Sequence, residues 1–348
     1  MQKRQTIIIE IIKKEKINTT NLLTQVNNKL DKPISKITLL RDLDKLINDN
    51  LITQIGKGPS TKYELSLGYT IAQDIDIANY FTKDAQERNA KNNFDFAIFD
   101  LLEKINIFTK EELDHLENLN QTYQKNIASL PLDIKNREAE RLMIELSWKS
   151  SRIEGNTYDL LETEFLIKEN QEAKGHTKLE AKMILNHKDA LNFLESRKIK
   201  KISRKIIQEI HYQLTKDMNI NNDIRNKPVG ITGTIYRPLQ KKEEIKKALD
   251  KLSTLINIQN NKFAKSILLN MLIAYIQPFN DGNKRTSRLM GNAVLITNNA
   301  CPLSFRSINE LEYKKAIILF YEQNNFSYFK KLFIEQFKFA TSNYFQAN

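Results

Sequence analysis

The chain has 348 residues, 41% of them hydrophobic, with 54 Lys and Arg against 42 Asp and Glu, a net charge of +12 and a pI near 9.4. That length suffices for two or three domains with a substantial core. A single cysteine, Cys301, excludes an internal disulfide and fits a reducing compartment. The first apolar run is broken by Glu10 and Lys13, and no uninterrupted apolar span reaches about 18 residues. Neither a signal peptide nor a membrane segment is expected, and the chain reads as a soluble cytoplasmic protein. Four histidines, His115, His176, His187 and His211, lack metal-ligand spacing, so no zinc site is expected. The positive balance favours a polyanionic partner and says nothing about fold. Only 9 glycines and 7 prolines punctuate long stretches rich in Leu, Ile, Lys, Glu and Asn, which favours helix over sheet.

In chain order, residues 1–67 form a pattern of their own. Thr6 to Lys14 and Thr20 to Leu30 read as apolar helices, and Pro33 and Ser35 open a third that ends near Asn50. At 100° per residue this third helix puts Ile37, Leu39, Leu40, Leu43, Leu46 and Ile47 on one side, and Thr38, Arg41, Asp42 and Lys45 on the other. Leu51–Ile55 and Thr61–Leu65 alternate like strands around the turn-rich Gly56–Ser60. Three helices and a hairpin describe a winged helix-turn-helix, and the run from Ser35 to Leu65 resembles those of bacterial regulators. That resemblance would place Thr38, Arg41 and Lys45 in the major groove of double-stranded DNA, Lys36 near the backbone, and Lys57 and Lys62 on phosphates. A local net charge of +5 supports such binding. Protein docking is the other use of such a unit, and a basic helix face is often merely solvated.

Residues 68–130 read as a helical connector, with apolar helical spacing over Phe94–Leu102 and Glu111–Leu130 and a polar link over Asp84–Asn93. Nothing in them suggests chemistry. From about 131 to 348 the chain is strongly helical except for Lys227–Pro238, rich in turn formers and β-branched residues, which is expected to be a hairpin. Ser150–Asn156 closes one helix, with Gly155 and Asn156 suited to a C-cap. Cys301, between Ala300 and Pro302, reads as packing.

The most informative stretch is Gln277-Pro278-Phe279-Asn280-Asp281-Gly282-Asn283-Lys284-Arg285-Thr286-Ser287-Arg288, set between the apolar runs Ile267–Ile276 and Leu289–Ile296. A helix start offers unpaired N–H groups and a positive dipole end, and a Gly-containing loop can fold its amides around an anion. Arg285 and Arg288 are three apart and share a helix face, where they can grip two phosphates. Asp281 offers a hard oxygen of the kind Mg²⁺ uses beside phosphates. The residues alone read as a nucleotide polyphosphate site.

The same dodecamer resembles the Fic family signature, H-P-F-x-D-G-N-G-R-x-x-R, at seven of nine defined positions; Gln277 replaces the His and Lys284 the second loop glycine. The resemblance implies a mainly α fold: a Fic-type helical core over 131–348 with a β-hairpin flap, behind the winged helix of 1–67. It implies transfer of AMP from ATP–Mg²⁺ to a Ser, Thr or Tyr hydroxyl of a target protein, or of the chain itself. Asp281 would hold the metal; Gly282, Asn283 and Lys284 belong to the anion loop, whose Asn283 and amides would hold the α-phosphate; Arg285 and Arg288 would hold the outer phosphates. By position Thr232, Gly233, Thr234 and Ile235 of the flap would border the nucleotide, and Tyr313 the adenine. Ser150–Gly155 resembles the family's inhibitory pattern, [S/T]-x-x-x-E-[G/N], in its upstream, class II arrangement. Glu154 would then pair with Arg288, with Ser150 orienting the helix.

Two departures temper the activity. The signature's His is the general base, and a Gln amide cannot take a proton at any useful pH, so transfer should be weakened. Lys284 is found in kinase-like relatives, which keeps phosphoryl transfer open. The rival reading is a catalytically silent, nucleotide-sensing DNA-binding regulator. No membrane partner is expected, and a homodimer is an option the residues do not decide.

Overall fold

A computed structural model describes residues 3–49, 51–197 and 199–346. The first 66 residues gather around their own core. Helix α1 (Lys3–Ile12) leads through the two-residue strand β1 (Ile17–Asn18) into α2 (Thr19–Asn27) and α3 (Lys36–Asn48), followed by β2 (Ile52–Ile55) and β3 (Lys62–Leu65). Asn18 and Ser35 cap α2 and α3 by accepting from the Asn21 and Thr38 amides. The strands form an antiparallel sheet in the order β1-β3-β2, with Tyr63 between Ile17 and Gln54. Ile8, Leu22, Val26, Leu39, Leu43, Leu46, Ile52 and Tyr63 fill the space between helices and sheet. The strand β1, only two residues long, left no signal in the sequence. Asn50, near which the third helix was expected to end, lies outside the described residues.

The face of α3 differs from its helical projection. Ile37 and Leu40 are 66% and 37% exposed, whereas Asp42 is buried and accepts from Arg4 Nε at 2.9 Å. The buried arc is Leu39, Asp42, Leu43 and Leu46. A charged residue can occupy such an arc when a neighbouring helix supplies its counter-ion. Lys45, expected to face outward and free, pairs with Glu111 at 2.7 Å.

Short α4 (Leu67–Ala72) and α5 (Ile77–Tyr80) carry the chain to α6 (Ala97–Lys104) and α7 (Lys110–Ser129). A capping box between Thr109 and Glu112 starts α7. Phe99, Leu102, Leu116 and Tyr123 belong to the main core, so residues 94–129 are a layer of the helical body. That body continues with α8 (Leu132–Ile153), α9 (Leu160–Glu169), α10 (Lys178–Arg197), α11 (Arg204–Thr215), α12 (Lys242–Ile258), α13 (Lys262–Ile276), α14 (Asn283–Thr297), α15 (Glu310–Gln323) and α16 (Ser327–Asn343). At its centre α13 and α14 lie side by side. From Phe263 to Ile276 only Lys265 escapes burial, the pattern of a helix covered on all sides. The two approach so closely that a Cβ on Gly291 would fall 2.0 Å from Asn270 Nδ2. Helices α8, α10 and α11 pack against α14, while α12 and α15 pack against α13.

The hairpin expected over 228–238 is absent. The segment is an irregular loop with a turn at 232–233, and its one bridge joins Arg237 to Asn93. Pro228, Gly230, Gly233 and Pro238 interrupt any ladder, and the loop bonds elsewhere. The Arg237 amide donates to Asn92 O, and the Tyr236 hydroxyl donates to Tyr275 O. No helix among the described residues is long and apolar enough to cross a membrane.

Candidate functional site

Helix α13 stops at Gln277, which takes the left-handed conformation (φ 50°, ψ 61°) and lets the chain turn sharply into 278–282. Every polar group of the Gln277 side chain is engaged. Its Nε2 donates to Ala274 O at 2.7 Å and to the Tyr321 hydroxyl at 3.3 Å, and its Oε1 accepts from Asn283 Nδ2 at 2.9 Å. Asn283 closes the turn, donating to Phe279 O and accepting from Phe279 N, both at 2.8 Å. Buried Arg225 ties the turn from outside, donating through Nε to Gln277 O at 2.6 Å.

Gly282 is the N-cap of α14 with φ 79°. A Cβ there would stand 3.1 Å from Thr215 Cγ2 and 3.4 Å from the His211 ring, so both backbone and space demand glycine. His211 stacks on Phe279 at 3.7 Å and donates through Nε2 to Asp281 O at 2.9 Å. Burial, the largest cause, lowers its pKa to about 4, so the ring is neutral. The start of α14 is thereby held open toward a cavity of about 550 Å³. Asn280 to Lys284 line one side of it, Val229 to Thr232 another, Ile153 to Gly155 a third, and Tyr313, Ile317 and Tyr321 its apolar wall.

The two arginines do not point together. Arg285 turns under the loop, toward Leu214 O and Met218 Sδ, and reaches Asp281 Oδ2 at 3.4 Å. Arg288, fully buried, turns toward α8: Nη1 donates to Glu154 Oε1 at 2.9 Å, Nε to Ser150 Oγ at 3.0 Å and Nη2 to Ser150 O at 2.7 Å. The shared face expected from their spacing is real, but each finds a different neighbour at the helix flank. Neither lines the cavity, because Glu154 stands over Arg288. The Glu154 carboxylate also meets Lys284 Nζ at 3.2 Å. Burial pushes its carboxyl up, and the Arg288 and Lys284 charges outweigh that and hold it below the usual carboxylate range.

Other expected positions fall as follows. Thr232 lines the cavity, but Gly233, Thr234 and Ile235 do not; Val229, Gly230 and Ile231, just before it in the chain, line it instead. Tyr313 is buried with its hydroxyl 3.4 Å from Arg288 Nη1 and its ring under the guanidinium. Asp281 is exposed, and its Oδ1 accepts from the Gly282 amide at 2.6 Å. A lone exposed carboxylate at the cavity edge fits a Mg²⁺ that arrives with phosphates; no group of three metal-ligating side chains occurs among the described residues. Lys36, Arg41, Lys57 and Lys62 are exposed, Thr38 half-buried against its cap Ser35. Sequence reasoning missed His211, Arg225, Ile317 and Tyr321. The spacing of Tyr313, Ile317 and Tyr321, one residue every four along α15, was a usable signal; Arg225 left none.

Cys301 is buried and burial pushes its thiol up, which confirms packing. His187 lies under the arginines with Nδ1 3.5 Å from Ser147 Oγ; burial, then the Arg288 and Arg285 charges, lower its pKa to about 3.

Comparison with known proteins bears on this arrangement. The description of the Fic/DOC family matches residues 194–295, which hold α11 to α13, most of α14 and the 277–282 turn. A curated relative from Nematostella vectensis, named protein adenylyltransferase Fic, is 26% identical over 220 residues, covering 61% of this chain and 51% of the relative. The chain thus spans about half the length of that relative. Among solved structures, a Fic-1 fragment from C. elegans superposes with a TM-score of 0.55 at 17% identity, over 68% of this chain and 70% of that one. A Fic domain containing signaling protein from Bacteroides thetaiotaomicron gives 0.55 at 18% identity, over 66% of this chain and 96% of that one. At these identities the structures speak for the fold alone. Signature, turn geometry and family match converge on residues 194–295, the part of the chain that matches the Fic/DOC family.

Proposed function

We propose that the cavity binds ATP and that the chain is a protein adenylyltransferase held off by its own Glu154, with transfer weakened at Gln277. The observation that carries this reading is the pair that Glu154, in the cavity wall, makes with Arg288 behind it. A guanidinium has one fork to offer, and here a carboxylate of the same chain holds it where an outer phosphate would bind. The loop supports the rest. Amides at the start of α14 and the helix dipole suit an α-phosphate, and the Tyr313, Ile317 and Tyr321 wall suits a base. Asp281 would hold Mg²⁺, which when bound would neutralise phosphate charge. A target hydroxyl would approach beside Gln277, whose side chain is already satisfied and offers no base. The curated relative's name supports AMP as the transferred group.

Calorimetry with ATP and Mg²⁺ tests the reading. Glu154→Gly should bind at least about tenfold more tightly than the parent, since it frees a buried charge. Equal affinities would sink the inhibitory role, and no heat in either protein would sink the nucleotide site.

A second reading is favoured by the Gln277 bonds themselves: a silent, nucleotide-sensing regulator that acts through residues 1–67. The helix and strand order α1-β1-α2-α3-β2-β3 supports a winged helix, and Lys36, Arg41, Lys57 and Lys62 are exposed for phosphates. Ile37 and Leu40 share the outer face of α3, and Lys45 is tied to Glu111, so the groove-facing set is less basic than its sequence implies. Duplex binding should weaken steeply with salt; a flat isotherm would remove the DNA role.

A further inference from the structure

Residues 77–93, of which Asp84–Asn93 were expected to be a polar link without chemistry, are stitched both to α15 and to the loop beside the cavity. Glu322, at the C-terminal end of α15, is fully buried. One of its oxygens accepts from Arg88 Nη2 at 3.0 Å and the other from the Tyr80 hydroxyl at 2.7 Å. The same Arg88 Nη2 donates to Gly233 O, in the loop whose preceding residues line the cavity. Arg88 is itself buried, its guanidinium 5.0 Å from the Phe81 ring. The Lys91 amide donates to Glu322 O at 2.8 Å, and Asn92 O accepts from the Arg237 amide at 2.8 Å.

We propose that Arg88 is a positioning residue: through Glu322 and the Gly233 carbonyl it clamps the 229–233 loop against α15. The inference rests on the proposed reading of the cavity as a nucleotide and target site. A buried ion pair between segments 234 residues apart is poor at adding stability, because desolvation cancels much of its attraction. What it supplies is one fixed geometry. Without a ladder of its own, the loop depends on such outside contacts for its position. At its other end the 77–93 segment runs into α4, whose Ile71 carbonyl accepts from the Phe326 amide and whose Tyr69 packs on the N-terminal core.

The test is proteolysis of the full chain with proteinase K, comparing the parent with a double variant, Arg88→Met with Glu322→Gln, which removes both charges and leaves neither stranded. Nicking between 229 and 235 should quicken by roughly tenfold or more, while the urea midpoint and nicking at 170–177 stay at parental values. Unchanged nicking in the loop would overturn the proposal, and so would faster nicking at both places, which would signal general loosening. Nucleotide plays no part in this readout, so a failed ATP titration would count against the nucleotide site without touching the clamp.

Discussion

The two sides of the cavity are built on opposite principles. The side at 277–288 is built largely from within, since Gln277, Asn283 and Phe279 bond one another and two left-handed residues set the turn between two buried helices, with Arg225 and His211 bracing it from outside. The loop side, 229–238, has almost no bonds of its own and takes its place from Arg88, Asn92 and Tyr275. A side with many local bonds depends less on the rest of the chain than a side placed almost wholly by distant contacts.

The largest expected effect comes from restoring a base on the rigid side. In a Glu154→Gly background, Gln277→His should raise transfer of label from α-labelled ATP by about 10²–10⁴-fold, the usual contribution of a general base. Label from γ-labelled ATP alone would replace AMP transfer by phosphoryl transfer. No label from either would leave the regulator as the surviving reading. The locked Gln277 amide makes this the sharpest test, since the turn it supports is intact without a base.

The same contrast decided what was legible in the sequence. The signature is a string of neighbouring residues, so its two helices and the turn between them could be read from spacing. Glu154 was singled out only through the resemblance of Ser150–Gly155 to the family's inhibitory pattern, since a Glu at a helix end followed by Gly155 reads by itself as an ordinary exposed terminus. The loop side could not be read. Its partners Arg88 and Glu322 are far away in sequence, and turn-rich, β-branched residues imitate a hairpin when the partners that replace the ladder are unseen. The α3 face failed for a related reason: Arg4, on another helix, made Asp42 a buried residue. Periodicity reports what a helix could bury, and tertiary partners decide what it does bury.

Beneath the rigid side, His187 offers a smaller and purely thermodynamic test. Its pKa of about 3 in the fold lies below the ordinary value near 6.5. As pH falls from 7, the unfolded chain takes up this proton first, so stability is lost from the ordinary value downward. Between pH 7 and pH 5 this one ring should cost about 2 kcal/mol. Chemical denaturation of His187→Gln at both pH values should show that much less acid sensitivity than the parent. An identical pH dependence would mean that the ring is not held neutral by its burial under Arg285 and Arg288.

Lys284 gives the smallest effect and the most discriminating sign. It is 28% exposed and its partner Glu154 18%, so their bond is worth about 1 kcal/mol. While Glu154 is present, Lys284 helps to hold the carboxylate in place; once Glu154 is gone, the same ammonium faces the cavity and can meet a phosphate. Lys284→Gly should therefore weaken ATP binding severalfold in the Glu154→Gly background and leave it unchanged or tighter in the parent. A double-mutant cycle by calorimetry measures this reversal directly. Equal effects in the two backgrounds would show that Lys284 and Glu154 act independently, and that the inhibitory contact is the Arg288 pair alone.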